Sequence, residues 1–169
     1  MLTSEDIEDS NYIELKLYKK KSAENVYDIN FSKDEFYNIM NRLKYKCFQK
    51  DCKQYVSGNL IYENFNNEDV KVYKTEIKNI KINSQYIISF YNKSKLSVLN
   101  FESSTNINDI NYIRKLIFRV SNRIYINFEI KKKNNNLVYN IYINYNHDDT
   151  VDLSLINDSL ENLVNLLTN

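Results

Sequence analysis

Glycine and proline are almost missing from this chain: Gly58 is its only glycine and it has no proline at all, where soluble domains usually carry roughly 7% and 5%. With one glycine, neither the phosphate-cradling loop G-x-x-x-x-G-K-[ST] nor the dinucleotide fingerprint G-x-G-x-x-G can be built, so Walker-type nucleotidases and dinucleotide-binding folds are excluded. Histidine is present once, as His147, and cysteine twice, as Cys47 and Cys52. That set cannot close a zinc site of the usual Cys/His kind, and the two cysteines read as reduced thiols of an intracellular protein. No Ser or Cys stands in a nucleophile motif, which leaves acyl transfer without support. The N-terminal MLTSEDIEDS is acidic and has no apolar stretch, and no run approaches the ~20 apolar residues of a membrane span. Neither secretion nor membrane insertion is expected. The sequons Asn92-Lys93-Ser94 and Asn157-Asp158-Ser159 are then chance matches. An excess of one charge is also lacking: 23 Lys+Arg against 22 Asp+Glu gives no global pull toward nucleic acid or membrane.

What remains is a chain of 169 residues, enough to bury a core as one domain without staples. We divide it into an acidic leader, 1–11, and a single domain, 12–169. Asn, Ile, Lys and Tyr are abundant, as codon drift in an AT-rich genome would produce, so many asparagines need carry no function. A reduced intracellular parasite or a large DNA virus would be such a source.

Periodicity is clearest from Ile117 to Asn146, which reads as a long hairpin. Phe118, Val120, Ile124, Ile126, Phe128 and Ile130 fall on one face, and Arg119, Ser121, Arg123, Tyr125, Asn127, Glu129 and Lys131 on the other. In the second arm Tyr139, Ile141, Ile143 and Tyr145 alternate with Asn140, Tyr142 and Asn144. Matching apolar to apolar requires a two-residue loop at Asn135-Asn136 or a four-residue loop at Lys133 to Asn136, with asparagine tolerating the positive φ of such turns. The polar face is either a solvated surface or the lining of a groove or barrel.

Elsewhere, Tyr12 to Lys20 alternates as a first strand, with Ile13, Leu15 and Leu17 opposite Glu14, Lys16 and Tyr18. Ser32 and Glu35 form a capping box, and Phe31 and Phe36 a hydrophobic staple. A helix is expected from about Lys33 with the stripe Phe36, Ile39, Met40, Leu43 and Cys47, and Arg42, Lys44 and Lys46 at its negative end. Strands follow at Gln54 to Asn64, Val70 to Ile82, Gln85 to Tyr91 and Lys95 to Glu102, the last two as a hairpin over Asn92-Lys93-Ser94. Ser103 to Asp109 is a polar link. His147, Asp148, Asp149 and Asp152 read better as an acidic turn and helix cap than as a metal cluster. Leu153, Ile156, Leu160, Leu163 and Leu167 predict a C-terminal helix on the apolar side of the sheet. The class is α+β: mainly antiparallel sheet, able to close into a barrel, with one helix after the first strand and one at the C-terminus.

The order of these features resembles the triphosphate tunnel metalloenzymes, the family of small viral and fungal RNA 5′-triphosphatases. Tyr12-Ile13-Glu14-Leu15-Lys16-Leu17 followed by Ser32-Lys33-Asp34-Glu35-Phe36 is similar to the family's opening, and Arg119-Val120-Ser121-Asn122-Arg123 to a basic tunnel strand. The resemblance covers Tyr12 to Asn146. It implies a nucleotide triphosphate or RNA 5′ end as ligand, Lys16, Arg119, Arg123 and Lys131 as anion-binding residues, and Glu14 and Glu129 as metal ligands. It implies Mg²⁺ or Mn²⁺ as cofactor if hydrolysis is retained. The chain departs from the family where carboxylates are needed. Lys16 stands at the second glutamate of the opening pair, and Asn140, Tyr142 and Asn144 occupy the closing strand. The implied protein is a tunnel that binds polyanions without a catalytic residue we can name.

Two other readings stay open. One is a non-enzymatic subunit of a larger assembly, with a protein partner, since tyrosines on strands favour interfaces. The other is single-stranded RNA binding, with Tyr125, Tyr139, Tyr142 and Tyr145 as stacking residues.

Overall fold

A computed structural model describes residues 12–21, 26–57, 60–65, 68–81, 86–97, 109–146 and 153–168. The acidic leader, the link before Asp109, and His147, Asp148, Asp149 and Asp152 lie outside the described residues. The elements in order are β1 (Tyr12–Lys21), β2 (Val26–Asp28), α1 (Lys33–Asn41), β3 (Cys47–Ser57), β4 (Leu60–Phe65), β5 (Glu68–Lys81), β6 (Tyr86–Ser97), β7 (Asp109–Arg119), β8 (Ile124–Lys133), β9 (Asn136–Asn146) and α2 (Leu153–Thr168). The architecture is the expected α+β one, antiparallel sheet with two helices.

Among the described residues all nine strands belong to one sheet, in the order β2-β1-β6-β5-β4-β3-β7-β8-β9. Its far strand comes back to β1: Tyr12 to Lys16 pair with Asn146 to Tyr142 of β9, while the other edge of β1 pairs with β6. The wall is not joined along its whole length. Past Lys16, β1 leaves β9 and takes β2 instead, Lys19 to Lys21 pairing with Asp28 to Val26. Phe31 bridges to Tyr139 of β9 through its backbone N–H at 2.8 Å, so the strand-to-helix connection fills the place that β1 has vacated.

Every ladder here is antiparallel, and the period of two sorts the side chains onto two faces. One face is apolar: Leu15, Leu17, Phe118, Ile124, Ile126, Phe128, Ile141, Ile143 and Tyr145 are buried there with Phe31, Phe36 and Ile39 from the α1 region and Leu163 from α2. At ~25 cal/mol per Å² of apolar surface removed from water, this layer between sheet and helices is what holds the fold. Phe36 is its centre: its ring lies 5.1 Å from those of Phe128 and Tyr139, and 5.4 Å from Tyr37. The capping box starts α1 as expected. Glu35 N–H donates to Ser32 Oγ at 3.2 Å, and Ser32 N–H donates to the Glu35 carboxylate at 3.2 Å. Lys19 of β1 pairs with the same carboxylate, which ties the helix start to the first strand.

Several boundaries differ from the sequence reading. The helix ends at Asn41 with Arg42 as its C-cap, so Leu43, Lys44 and Lys46 lie beyond it and Cys47 opens β3. The guanidinium of Arg42 instead donates to the Leu166 carbonyl of α2 at 2.5 Å. Gln54 to Asn64 is not one strand but parts of β3 and β4. Asn92-Lys93-Ser94 is no turn: β6 runs straight through it because β1 and β5 pair on its two sides. The first arm of the long hairpin is two strands, β7 and β8, folded at Ser121 to Arg123. There the Ser121 hydroxyl accepts from Arg123 N–H at 3.3 Å and Ile124 N–H at 3.2 Å. The hairpin β8–β9 turns on Asn134-Asn135, with Lys133 opposite Asn136. That is the register of the four-residue alternative with one more pair formed, and Asn134 takes the positive φ of 54°.

Candidate functional site

The second face of the sheet is polar, yet much of it is buried. Glu14 is 1% exposed, Asn127 2%, Tyr142 3%, Asn140 and Lys115 5%, and Glu129 6%. Charges are rarely placed this deep unless paired, so this face is a built feature and not a solvated surface.

Cross-strand rows assemble it. Asn140 of β9 stands opposite Glu129 of β8, which stands opposite Lys115 of β7. In the next row Lys16 of β1 is opposite Tyr142, which is opposite Asn127. One row further, Glu14 is opposite Asn144, and Asn144 is opposite Tyr125. The Glu129 carboxylate is the hub. It accepts from Asn140 Nδ2 at 3.2 Å and from the Tyr142 hydroxyl at 3.2 Å. Lys131 Nζ lies 3.6 Å from one carboxylate oxygen and Lys115 Nζ 4.0 Å from the other. Lys115 also stands over the Tyr142 ring, 5.8 Å from its centroid, and Lys16 Nζ is 3.5 Å from Glu14. Among the described residues, three ammonium groups thus meet two carboxylates on one face. The amide oxygens of Asn111, Asn140 and Asn144 are buried there with no hydrogen-bond partner among the described residues.

The candidate residues from the sequence divide into two groups. Lys16 and Lys131 join Glu14 and Glu129 on the buried polar face. Arg119 ends β7 on the same face, opposite Tyr125 in the row of Glu14 and Asn144, but its side chain is exposed with its guanidinium bonded to the Asn122 side chain, and Arg123 is in the β7–β8 turn. Of the four tyrosines read as stacking residues, Tyr142 and Tyr145 are 3% and 0% exposed. A buried ring has no free face, so that reading is corrected for both. Lys115 was missed altogether. Its strand mixes Ile113 and Ile117 with Asn111 and Lys115 on one side, and Ile110 and Leu116 with Arg114 on the other, so no alternation marked which side was polar.

No family model matches the sequence, and a search of curated proteins found no match to it. The fold does have counterparts. The RNA triphosphatase Pct1 of S. pombe, solved in complex with the Spt5 CTD, superposes with a TM-score of 0.63 at 11% identity, covering 96% of this chain and 87% of that one. The Mimivirus capping enzyme triphosphatase gives 0.59 at 13% identity over 98% of this chain and 93% of its own. The protein PH1819 of Pyrococcus horikoshii gives 0.50 at 9% identity, covering 91% and 88%. The chain therefore has the fold of the RNA triphosphatase structures, in agreement with the tunnel family its motifs resemble. No helix among the described residues is long and apolar enough to cross a membrane.

The metal that this fold family implies does not fit the described residues. Glu14 and Glu129 lie opposite Asn144 and Asn140 of β9, four residues apart, or about 13 Å along the strand at ~3.3 Å each. Two carboxylates so separated cannot share an ion held at about 2.1 Å. Each already has a lysine at its oxygens, and no group of three His, Cys, Asp or Glu able to hold a metal occurs among the described residues. A divalent ion on Glu129 would sit beside two ammonium groups. Each unit of like charge at 4 Å costs about 4 kcal/mol at an effective dielectric of 20.

Proposed function

We propose that this chain is a tunnel-like polyanion-binding protein that takes the triphosphate of a nucleotide or of an RNA 5′ end on the buried face of β1, β7, β8 and β9, without hydrolysing it. The observation that supports this most is the lysine cluster around Glu129 and Glu14. Where metal chemistry needs carboxylates converging on a cation, the described residues bring Lys16, Lys115 and Lys131 to within 4.0 Å of the only two buried glutamates described. Ammonium groups in a partly desolvated site make charge-assisted bonds to phosphate oxygens, shorter and roughly twice as strong as neutral ones. The unpartnered oxygens of Asn111, Asn140 and Asn144 add acceptors. A bare polyphosphate has no donors for them, whereas the hydroxyls and amines of a nucleotide do. The ligand class is accordingly a nucleoside triphosphate or RNA end, and such a protein would act inside the cell, as a subunit beside a protein partner.

The test is thermal shift with GTP, with tripolyphosphate and with neither, each in EDTA and in Mn²⁺, together with phosphate release. Stabilisation by both anions in EDTA, larger for GTP, with no phosphate released, is the expected outcome. Absence of any shift with either anion rejects the proposal, and manganese-dependent release of phosphate rejects its non-hydrolytic part.

A further inference from the structure

The outer face of the same strands carries a groove of about 860 Å³ that the tunnel reading does not use. Tyr37 of α1, Tyr55 of β3, Tyr112 of β7 and Tyr139 of β9 line it. Tyr112 is 55% exposed and Leu137 beside it also 55%. The register explains the arrangement. Lys53 of β3, Tyr112 of β7, Lys132 of β8 and Leu137 of β9 stand in one cross-strand row, so an exposed ring is flanked by a lysine on each neighbouring strand. Lys53 Nζ lies 5.6 Å from the centroid of the Tyr112 ring. In the next row Arg114 pairs with Asp51, Nε to Oδ1 at 3.0 Å. That cancels the one acidic residue of the groove, and Lys33, Lys53 and Lys132 leave it a charge of about +3.

We propose that this groove binds single-stranded RNA, a base stacked on the exposed Tyr112 with the half-buried rings of Tyr37, Tyr55 and Tyr139 beside it, and its phosphates on Lys33, Lys53 and Lys132. Two features fix the class of occupant. The net positive charge selects an anionic chain, and an exposed ring, Tyr112, set between lysines of the two neighbouring strands is an arrangement that holds an unpaired base against a backbone-tracking basic surface. An acidic peptide would use the charge but not the rings. A duplex keeps its bases stacked inside and would use the charge alone. The inference is independent of the tunnel reading, since the two sites lie on opposite faces of the sheet.

The test uses the full chain and a fluorescent single-stranded RNA of about ten nucleotides with a 5′-hydroxyl, read by anisotropy at two salt concentrations. Expected are binding that weakens with salt, a loss of roughly fivefold or more in Tyr112→Ala, near-retention in Tyr112→Phe, and weakening in Lys53→Gln with Lys132→Gln. Excess tripolyphosphate should leave most of the RNA bound. The proposal is overturned if Tyr112→Ala binds as well as the parent, if tripolyphosphate displaces the RNA completely, which would put it in the tunnel, or if an oligoglutamate or a duplex of equal charge binds as tightly.

Discussion

Replacing Glu129 by glutamine tests whether the buried polar face is a true low-dielectric cluster. The side chain keeps its shape but loses the charge that faces Lys115 at 4.0 Å and Lys131 at 3.6 Å. It also loses one of the two acceptor positions now used by Asn140 and Tyr142. Lys131 is part-exposed and can turn toward water, whereas the Lys115 side chain is only 6% exposed and cannot. Breaking a buried pair by removing one partner costs about 3–5 kcal/mol, because an uncompensated charge is left behind. At a urea m-value of about 2 kcal/mol/M the unfolding midpoint should fall by about 1.5–2.5 M. In a chain of this size the thermal midpoint should fall by roughly 6–20 °C. Removing both charges with Glu129→Gln and Lys115→Met should recover most of that loss, since the stranded ammonium is gone and the glutamine oxygen still accepts from one of the two buried donors, Asn140 and Tyr142. The single variant, with one repelling carboxylate fewer, should also bind tripolyphosphate more tightly than the parent. A Glu129→Gln protein within about 0.5 kcal/mol of the parent would show that water reaches the cluster and would refute the reasoning.

Three further outcomes follow from the packing. Phe36→Ala removes a fully buried ring with three aromatic neighbours and should cost about 3–5 kcal/mol by urea denaturation. At Asn134, whose φ is 54°, glycine should be neutral or slightly stabilising, while valine, strained in that region, should cost about 1–2 kcal/mol. Partial burial raises the Cys47 thiol above its ordinary value, opposed by a backbone hydrogen bond from Ile117. Native protein should therefore alkylate one thiol slowly near neutral pH, with Cys52 buried, and two thiols faster in urea. The sign for stability is that this contribution is complete below the unfolded thiol's pKa and is lost as pH rises through the raised folded value.

The architecture was legible wherever one face of a strand was purely apolar. The β8–β9 register followed from Ile124, Ile126 and Phe128 matching Tyr145, Ile143 and Ile141, because a slip of one residue would have turned glutamate and asparagine into the helix-covered core. The start of α1 was legible because capping is local chemistry. What failed was segmentation. With almost no glycine or proline to punctuate the chain, the fold at Ser121 to Arg123 left no turn signal. Asn92-Lys93-Ser94 looked like a turn while being mid-strand in β6, held there by β1 and β5. The same weakness hid Lys115, whose strand is apolar and polar on both sides, and it hid the break between Arg119, which ends β7 on the polar face opposite Tyr125, and Arg123, which sits in the turn. Lys16 and Glu129 could be read onto the polar face because each sits in a cleanly alternating strand. That their neighbours would be buried amides could not be read, since asparagine is so abundant along this chain that it is uninformative by itself.

The central claim is that lysines on the buried face bind a triphosphate without needing a metal. Calorimetric titration of the full chain with tripolyphosphate in EDTA, repeated with Lys115→Met and Lys131→Gln, tests it most directly. The account predicts binding that survives metal removal, weakens as salt rises, and is lost or reduced at least tenfold in the two variants. Binding that appears only when Mn²⁺ is added, or that is unchanged in both variants, would contradict it.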